Sequence, residues 1–393
     1  MEKKYVIIGT GAAGYAAAKA IREMDKEGSL LLIGKEPYAP YHRPRLSHFI
    51  GEKVEIDKLL IESVDQYKAK KIELKVGCTV KQIDRQNQKV LLDDGSEVIY
   101  NRLLIATGAK PFIPPFEGAW SDQMASIRSF QNLKDLNQGL KAEEEAAVIG
   151  GGLLGLEAAW SLKKAGVHVR VIEFFDSLLP RQLDPEMGKI YQEILEAKGL
   201  AFSLSNSLVK ADTNDGKVHM LMKRGETLMV DHLIFSVGVR ADTSLAKGAG
   251  LEVNRGIVVN DRLETSDSIV FAAGDAVELN GQGFGLWTQA TAQGRIAGAN
   301  MAGGKERYES EAPFTLLNIA GIRVFSVGDV QDYDKTVDAF YAEKGRWKRL
   351  YVKGERLVGG VLIGDVSQMQ RLKKLVQKSS FVDVSRGIEE LLV

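Results

Sequence analysis

Residues Tyr5–Gly14 read YVIIGTGAAG, and this stretch decides the fold. Its first four residues form a continuous apolar run, which is typical of a strand buried on both faces of a sheet. The glycines Gly9, Gly11 and Gly14 fit the spacing G-x-G-x-x-G and precede an Ala-rich stretch that ends near Met24. Such glycines permit a tight turn, a close approach to a pyrophosphate and close packing of a helix on a sheet. The stretch therefore predicts a strand, a dinucleotide-binding loop and a helix whose N-terminus faces the phosphates.

An acidic residue follows this loop at the expected interval. Glu36 lies 22 residues after Gly14, near the end of the next predicted strand, Ser29–Ile33. A carboxylate about 20 residues beyond the loop accepts hydrogen bonds from ribose hydroxyls. The alternative is that the glycines serve only a tight turn. We expect contacts to the first dinucleotide from Gly9, Gly11, Ala12, Ala13, Gly14 and Glu36.

A second unit of the same kind begins at Ala146. Residues 150–155 read GGGLLG between a predicted strand and a helix, and Glu173 follows 18 residues later. A Glu at this position bonds the 2′-hydroxyl of NAD and repels a 2′-phosphate, so we predict a preference for NADH over NADPH. The alternative is that Glu173 is a solvated strand end. We expect contacts to this second dinucleotide from Gly150, Gly152, Leu153, Leu154, Gly155, Glu173 and Gly238.

Two dinucleotide sites in one chain favour FAD together with NAD(H), because a hydride donor and a hydride acceptor then share one protein. The 393 residues suggest two or three domains. The 52 basic and 52 acidic side chains cancel, so the charge favours neither nucleic acid nor an anionic membrane as a partner. No apolar run reaches the ~18–20 residues needed to span a bilayer. Since a strand begins almost at the N-terminus, leaving no room for a signal peptide, we predict a cytoplasmic protein. The single cysteine, Cys78, supports neither a disulfide nor a Cys-based metal site, and we predict no metal.

Two further stretches resemble the two-dinucleotide flavoprotein reductases. Residues 103–108 read LLIATG, and residues 265–275 read TSDSIVFAAGD. In that family the first stretch leaves the FAD domain and the second returns to it, which implies that the NAD domain is inserted into the FAD domain. The expected fold is therefore α/β, with two Rossmann-type domains and a small α+β C-terminal domain. The implied boundaries are 1–112 and 241–312 for FAD, 113–240 for NAD(H) and 313–393 for the C-terminal domain.

Other stretches narrow the resemblance to rubredoxin reductases and the reductase module of assimilatory nitrite reductases. These are PYHRPRLS at 40–47, GIRVFSVGD at 321–329 and IGDV at 363–366. In this group Asp275 corresponds to the residue that bonds the flavin ribitol, and Trp287 and Thr288 lie at the flavin ring. The following helix N-terminus would stabilise negative charge on the flavin. The further FAD contacts that the resemblance implies are Arg43, Val80, Ala106, Thr107, Gly108 and Arg128.

The resemblance also implies a catalytic pair. Many relatives carry a Lys at the position of His48, and that Lys pairs with a Glu matching Glu157 beside the flavin. As an imidazolium, His48 would keep this pairing near its reference pKa of about 6.5. The alternative is that His48 is an ordinary surface residue.

The expected electron acceptor is external. Relatives that use disulfides carry a cysteine near residues 43–47, and this chain has none there. The favoured acceptor is a small acidic iron–sulfur or rubredoxin-type protein. Between Lys344 and Lys378 there are ten basic and two acidic residues, an excess expected to steer such a partner. By resemblance this C-terminal region packs beside the flavin domain.

Three alternatives to this acceptor remain open. They are an NADH oxidase or peroxidase, a nitrite-reductase-type flavoprotein, and an NADH-sensing flavoprotein that binds partners. Both a monomer and a homodimer fit the sequence.

Overall fold

The computed structural model describes residues 3–283, 285–310, 312–383 and 386–392. Within these ranges, no helix is long and apolar enough to cross a membrane. The α-helices are α1 (Ala12–Met24), α2 (Val64–Ala69), α3 (Phe130–Gly139), α4 (Leu153–Lys164), α5 (Pro185–Ala197), α6 (Ser244–Gly248), α7 (Trp287–Met301), α8 (Met369–Gln377) and α9 (Ile388–Leu391). The 3₁₀ helices are Arg43–Phe49, Ile56–Lys58 and Ala342–Lys344.

The strands of the described residues are numbered in chain order. They are β1 (Lys4–Ile8), β2 (Ser29–Gly34), β3 (Glu73–Val76), β4 (Val80–Asp84), β5 (Lys89–Leu92), β6 (Glu97–Ile99), β7 (Arg102–Ile105), β8 (Ala109–Pro111), β9 (Met124–Ala125), β10 (Glu145–Ile149), β11 (His168–Ile172), β12 (Ala201–Ser203), β13 (Leu208–Asn214), β14 (Lys217–Met222), β15 (Thr227–Val230), β16 (His232–Phe235), β17 (Val239–Ala241), β18 (Ile257–Val258), β19 (Val270–Ala272), β20 (Val277–Leu279), β21 (Gln282–Gly283), β22 (Phe314–Ile319), β23 (Ile322–Gly328), β24 (Lys335–Tyr341), β25 (Arg346–Lys353) and β26 (Arg356–Ile363).

The first parallel sheet takes strands from both sides of the second unit. Its order is β19-β7-β1-β2-β3, and β19 pairs with β7 through Val270 and Leu103. The connections that leave and re-enter this domain, β8 and β17, pair antiparallel. Since β19 comes after the whole second unit, the inserted arrangement is confirmed. The boundaries at residues 112, 240 and 312 stay predictions.

Glycines bring the two helices of this domain together. A Cβ added at Gly294 of α7 would lie 2.1 Å from the carbonyl oxygen of Ala13 in α1. A Cβ at Gly298, one turn later, would lie 2.3 Å from the carbonyl oxygen of Ala17. The backbones of α1 and α7 therefore touch, which places the first turn of α7 on the same side of the domain as the predicted FAD loop.

The second parallel sheet has the order β12-β11-β10-β16-β9, with β13, β14 and β15 forming a separate antiparallel sheet. Helix α4 follows β10 directly and packs on β10 and β11. The strand–loop–helix order of the first domain is thus repeated, and the fold class with two Rossmann-type domains is confirmed.

The C-terminal domain is an antiparallel sheet of order β22-β23-β26-β25-β24 with α8 packed on one face, which confirms the predicted α+β domain. Buried side chains alternate along its strands. Leu350 and Leu362 face α8, whereas Tyr351 and Val361 face the other way. That second face joins the core of the NAD domain and of residues 41–59. This second apolar face is therefore covered by the NAD domain together with residues 41–59, which lie within the expected FAD range 1–112. The expectation that the C-terminal domain packs beside the flavin domain stays a prediction.

Candidate functional site

The first glycine loop has the geometry of a phosphate cradle. Gly9 has φ +115°, and a Cβ there would lie 2.1 Å from the carbonyl oxygen of Ala106. A Cβ at Gly14 would lie 1.9 Å from the carbonyl oxygen of Gly9. A Cβ at Gly11, in contrast, would meet nothing within 4 Å. The outer glycines thus allow backbone packing, and the middle glycine leaves space that a pyrophosphate fits.

The second loop repeats these three environments. Gly150 has φ +114°, and its Cβ would lie 2.3 Å from the carbonyl oxygen of Ser236. The Cβ of Gly155 would lie 2.0 Å from the carbonyl oxygen of Gly150, whereas that of Gly152 would meet nothing within 4 Å. Leu153 and Leu154 form the first turn of α4, and Leu154 is exposed. The same arrangement in both loops fits one dinucleotide at each.

Three helix N-termini near these loops carry no side-chain cap. Helices α1, α4 and α7 start without a capping hydrogen bond and without an acidic residue in the first turn. Helices α2, α3 and α5, by comparison, are capped by Ser63, Ser129 and Asp184. Uncapped N–H groups and the positive end of the helix dipole favour negatively charged groups. The first two helices thus suit phosphates, and α7 suits the negative charge that a flavin develops.

A buried amide adds a donor beside the first loop. Gln293 of α7 is fully buried and accepts a 2.8 Å hydrogen bond from the backbone N–H of Gly274. Its Nε2 has no partner among the described residues. A Cβ at Gly274 would lie 3.1 Å from the Cβ of Ala13, within the loop. A buried donor without a partner is costly, and an oxygen-rich ligand at this loop would satisfy it. Sequence reasoning missed this residue.

Four predicted FAD contacts form one continuous chain of polar interactions. Arg43 pairs with Glu36 at 2.7 Å and also donates to the backbone carbonyl of Arg128. Arg128 in turn pairs with Asp275 at 2.8 Å. The Tyr41 hydroxyl donates to the second Glu36 oxygen at 2.8 Å, a contact that the sequence did not predict. Residues from four separate stretches therefore meet at one place.

The remaining predicted FAD residues lie around this chain. Ala106 and Val80 are buried, and the Thr107 hydroxyl donates to the carbonyl oxygen of Asp242 at 2.7 Å. Gly108 has φ +70°, and a Cβ there would lie 3.5 Å from an Arg128 nitrogen. Trp287 and Thr288 open α7, with the Trp287 ring 5.8 Å from that of His42. The ring contact places His42 against the start of α7.

Glu173 is bound to the second loop itself. Its carboxylate accepts hydrogen bonds from the backbone N–H groups of Gly151 and, at 2.9 Å, Phe175. Only 6% of the residue is exposed, so it is not a solvated strand end. Gly238, at φ +100°, follows the neighbouring strand β16 and has open space around its Cβ position. The carboxylate therefore anchors the loop at the position where a ribose would lie.

The predicted catalytic pair joins the two dinucleotide domains. Glu157 lies in the first turns of α4 and accepts a 2.7 Å hydrogen bond from the hydroxyl of buried Ser47. Nε2 of His48 lies 3.8 Å from the other Glu157 oxygen, and the His48 side chain is 58% exposed. The facing carboxylate raises the pKa of His48 above its usual value. The sequence predicted the pairing of His48 with Glu157 but not the bond from Ser47.

Cys78 is a buried thiol just after β3, and its backbone N–H donates to the carbonyl oxygen of Gly34 at 3.0 Å. Its Sγ lies 3.2 Å from a carboxylate oxygen of Asp93, and burial, followed by that carboxylate, raises the pKa of the thiol. A thiol with a raised pKa is a poor nucleophile. The structure agrees with the prediction that Cys78 is a small buried residue.

The predicted basic surface of the C-terminal domain is smaller than the count along the chain indicates. Buried Arg349 pairs with Asp184, Glu186 and Asp338, and buried Lys348 pairs with Glu389. Arg346 and Lys353 also have acidic partners. Most of these carboxylates lie outside residues 344–378, so the count missed them. The exposed basic residues on α8 and at its end form what we call the basic stripe: Arg371, Lys374 and Lys378.

Comparisons with known proteins agree with this geometry. The family described as pyridine nucleotide-disulphide oxidoreductase matches residues 3–294, and the rubredoxin NAD+ reductase C-terminal domain matches residues 313–380. The chain is 33% identical to the NAD(P)H nitrite reductase of Bacillus subtilis (strain 168), over 99% of this chain and 49% of that protein. It thus spans about half the length of this relative.

Two other proteins match nearly end to end. NADH-rubredoxin oxidoreductase of Clostridium acetobutylicum is 29% identical over 99% of this chain and 98% of its own length. The reductase in the covalent putidaredoxin reductase–putidaredoxin complex superimposes with a TM-score of 0.90 at 27% identity, over 99% of this chain and 95% of that one. The chain therefore belongs to the pyridine nucleotide-disulphide oxidoreductase family, whose NADH-dependent flavoprotein reductases use FAD and NADH.

Proposed function

We propose that this protein transfers hydride from NADH to bound FAD and then passes electrons singly to a small iron protein of the rubredoxin type. The observation that carries this proposal is the position of the lone cysteine. The chain has a single cysteine, and Cys78 is buried and bonded to Asp93, which leaves no exposed thiol to relay electrons or to attack a peroxide. Electrons must therefore leave the flavin directly, which suits a one-electron acceptor that docks at the protein surface.

The residues that would hold FAD come from the first loop and the polar chain around it. The uncapped N-terminus of α1 and the open space at Gly11 would receive the pyrophosphate. Glu36, Arg43 and Asp275 would bind its polar groups from three separate segments. When bound, FAD can accept two electrons from NADH and release them one at a time. We assign NADH to the second loop, where Glu173 disfavours a 2′-phosphate.

Ser47, His48 and Glu157 would position the two domains for hydride transfer. Such transfer depends on holding the reacting rings at about 3–3.5 Å more than on acid–base groups. The Ser47 hydrogen bond fixes the Glu157 carboxylate to the 3₁₀ helix of the FAD domain, and the His48 imidazolium adds an ion pair across the same boundary. We infer that these contacts orient α4, and with it the NADH site, toward the flavin site.

The relatives' names support an iron protein as acceptor. One is named for rubredoxin, and the reductase of closely similar structure is covalently joined to putidaredoxin. The basic stripe would attract an acidic partner, with a field that fades beyond about 10 Å at 0.1 M salt. Arg346, Lys348, Arg349 and Lys353 have carboxylate partners, so we base the steering on the stripe alone.

A second candidate is the flavoprotein module of a nitrite reductase. The chain aligns over 99% of its length with about half of the Bacillus nitrite reductase. In that case electrons would pass to a redox centre in a separate domain or subunit rather than to a free carrier protein.

One experiment separates these candidates. The FAD-loaded protein is reduced anaerobically with NADH and then mixed in turn with rubredoxin, ferredoxin, a nitrite-reductase partner protein and oxygen, while flavin reoxidation is followed by stopped-flow absorbance. We expect rubredoxin to be the fastest acceptor. A faster reaction with the nitrite-reductase partner would favour the second candidate, and fast reaction with oxygen would favour an oxidase. Slow reoxidation by all four would indicate an NADH-sensing flavoprotein.

A further inference from the structure

We infer that Ser326 and Gln331 of the C-terminal domain are positioning residues for the second glycine loop, an inference that rests on the assignment of NADH to that loop. Both side chains donate hydrogen bonds to backbone carbonyl groups of one short stretch of the NAD domain. The Ser326 hydroxyl donates to the carbonyl oxygen of Gln182 at 2.6 Å. The side-chain amide of Gln331 donates to the carbonyl oxygens of Pro180 at 2.9 Å and Leu183 at 3.2 Å. Two side chains of one domain thus bind the backbone of the other.

The stretch that they bind is continuous with the residues that hold Gly151, in the middle of the second loop. The backbone N–H of Gly151 donates to the Glu173 carboxylate, and its carbonyl oxygen accepts from the N–H of Leu179 at 3.1 Å. A Cβ added at Gly151 would lie 2.8 Å from Cδ2 of Leu178, so this side chain also packs against the loop. Leu179 directly precedes Pro180 along the chain. The contact with the loop and the contact with the C-terminal domain are therefore adjacent.

The segment depends on these donors because it has no regular structure of its own. Residues 173–184 form neither helix nor strand, so their carbonyl groups are not satisfied by a repeating ladder. The donors are themselves held in place. Ser326 is buried on β23, and the backbone N–H of Gln331 donates to the Asp329 carboxylate at 2.8 Å. A preorganised support of this kind lowers the conformational entropy that coenzyme binding has to remove from the loop.

The test measures NAD+ binding to FAD-loaded protein by calorimetry, without any electron acceptor. In Ser326→Ala/Gln331→Ala, NAD+ affinity should fall roughly 2- to 12-fold, which is the effect of one net hydrogen bond, because the coenzyme then has to order the segment as it binds. The FAD content should stay at the wild-type level. Gln331→Ala alone, at an exposed position, should show a smaller fall in the same direction.

A kinetic measurement separates positioning from a merely structural role. In stopped-flow traces of the double variant, the rate of flavin reduction at saturating NADH should stay within a few-fold of wild type, while the NADH concentration that gives half of that rate rises. Val376→Ala is the matched control, because it removes buried packing between α8 and the opposite face of the same sheet. This control should lower the urea midpoint and keep wild-type NAD+ affinity.

Two outcomes would overturn the inference. Wild-type NAD+ affinity in the double variant would leave the three hydrogen bonds with the role of attaching one domain to the other. An equal loss of affinity in Val376→Ala would show that any weakening of the C-terminal domain has the same effect. Failure of the proposed NADH site is distinguishable from both, because it would be seen in the wild type itself as an absence of NAD+ binding.

Discussion

Gly152→Ala separates coenzyme binding from folding more cleanly than any other substitution in the second loop. The residue has φ −82° and ψ −176°, a conformation that alanine adopts without strain. A Cβ there meets no heavy atom within 4 Å. Alanine is a poorer helix N-cap than glycine, but it lowers the entropy of the unfolded chain, so these two effects offset to within ~1 kcal/mol. The free energy of unfolding should therefore change little.

The same methyl group would enter the space that we assign to the NADH pyrophosphate. Overpacking by one methyl group costs ~1–3 kcal/mol, which weakens coenzyme binding roughly 5- to 150-fold. FAD content should stay at the wild-type level, because the first loop is unaltered. The assay combines visible absorbance for FAD, urea unfolding for stability and calorimetric titration with NAD+ for affinity.

Gly155→Ala is the contrasting variant. Its Cβ would lie 2.0 Å from a backbone oxygen of Gly150, so the helix has to move and the domain should be destabilised. In the first domain, Gly11→Ala should lower FAD affinity while the fold is kept. Unchanged NAD+ affinity in Gly152→Ala, or loss of FAD from it, would refute our assignment of the dinucleotides to the two loops.

Four other predictions follow from the described contacts. Because Glu157 raises the pKa of His48, the ion pair between them is complete below the ordinary histidine pKa of about 6.5 and is lost as pH rises through the raised value. Flavin reduction by NADH, followed by stopped-flow absorbance, should therefore slow as the pH rises through that value. The variant His48→Lys, whose side chain stays charged, should remove this pH dependence. Cys78→Ser should keep NADH-dependent dye reduction near wild type, and loss of most turnover with FAD still bound would revive the peroxidase class. Arg349→Met should lower the unfolding free energy by ~3–5 kcal/mol in urea titrations, because buried Asp184 loses its cation; an unchanged midpoint would contradict this. Reversing the three charges of the basic stripe should slow rubredoxin reduction and weaken its salt dependence, while flavin reduction by NADH stays within a few-fold.

Local sequence was sufficient to predict both loops, because a strand, three glycines and a helix fix one another within about fifteen residues. It also located Glu36 and Glu173, whose distance from each loop is set by one helix and one strand. The side-chain pairs that complete the site were not predictable in this way. Arg128 and Asp275 are 147 residues apart, and only the folded chain brings them together.

The charge count failed for a related reason. The count covered only residues 344–378, whereas Arg349 of that segment pairs with Asp184, which lies 165 residues away along the chain. The contact of the C-terminal domain with the NAD domain was likewise not predicted from the sequence. One face of its sheet is apolar and needs a cover, and the sequence does not say which neighbouring domain supplies it.

The segment from Glu173 to Asp184 connects the C-terminal domain to the second glycine loop. Near its middle, the backbone N–H of fully buried Leu179 donates to the carbonyl oxygen of Gly151 at 3.1 Å. Leu179 has φ +52°, a left-handed conformation that costs a non-glycine residue roughly 1–2 kcal/mol and persists only where the surroundings hold it. The C-terminal domain helps to keep this segment in place, because Arg349 binds Asp184 at one end of the segment. Loss of Arg349 should therefore affect more than stability, because Gly151 and Glu173 lose support when the far end of the segment is released. If NADH binds at the second loop and FAD at the first, as we propose, NADH affinity should fall while FAD is retained.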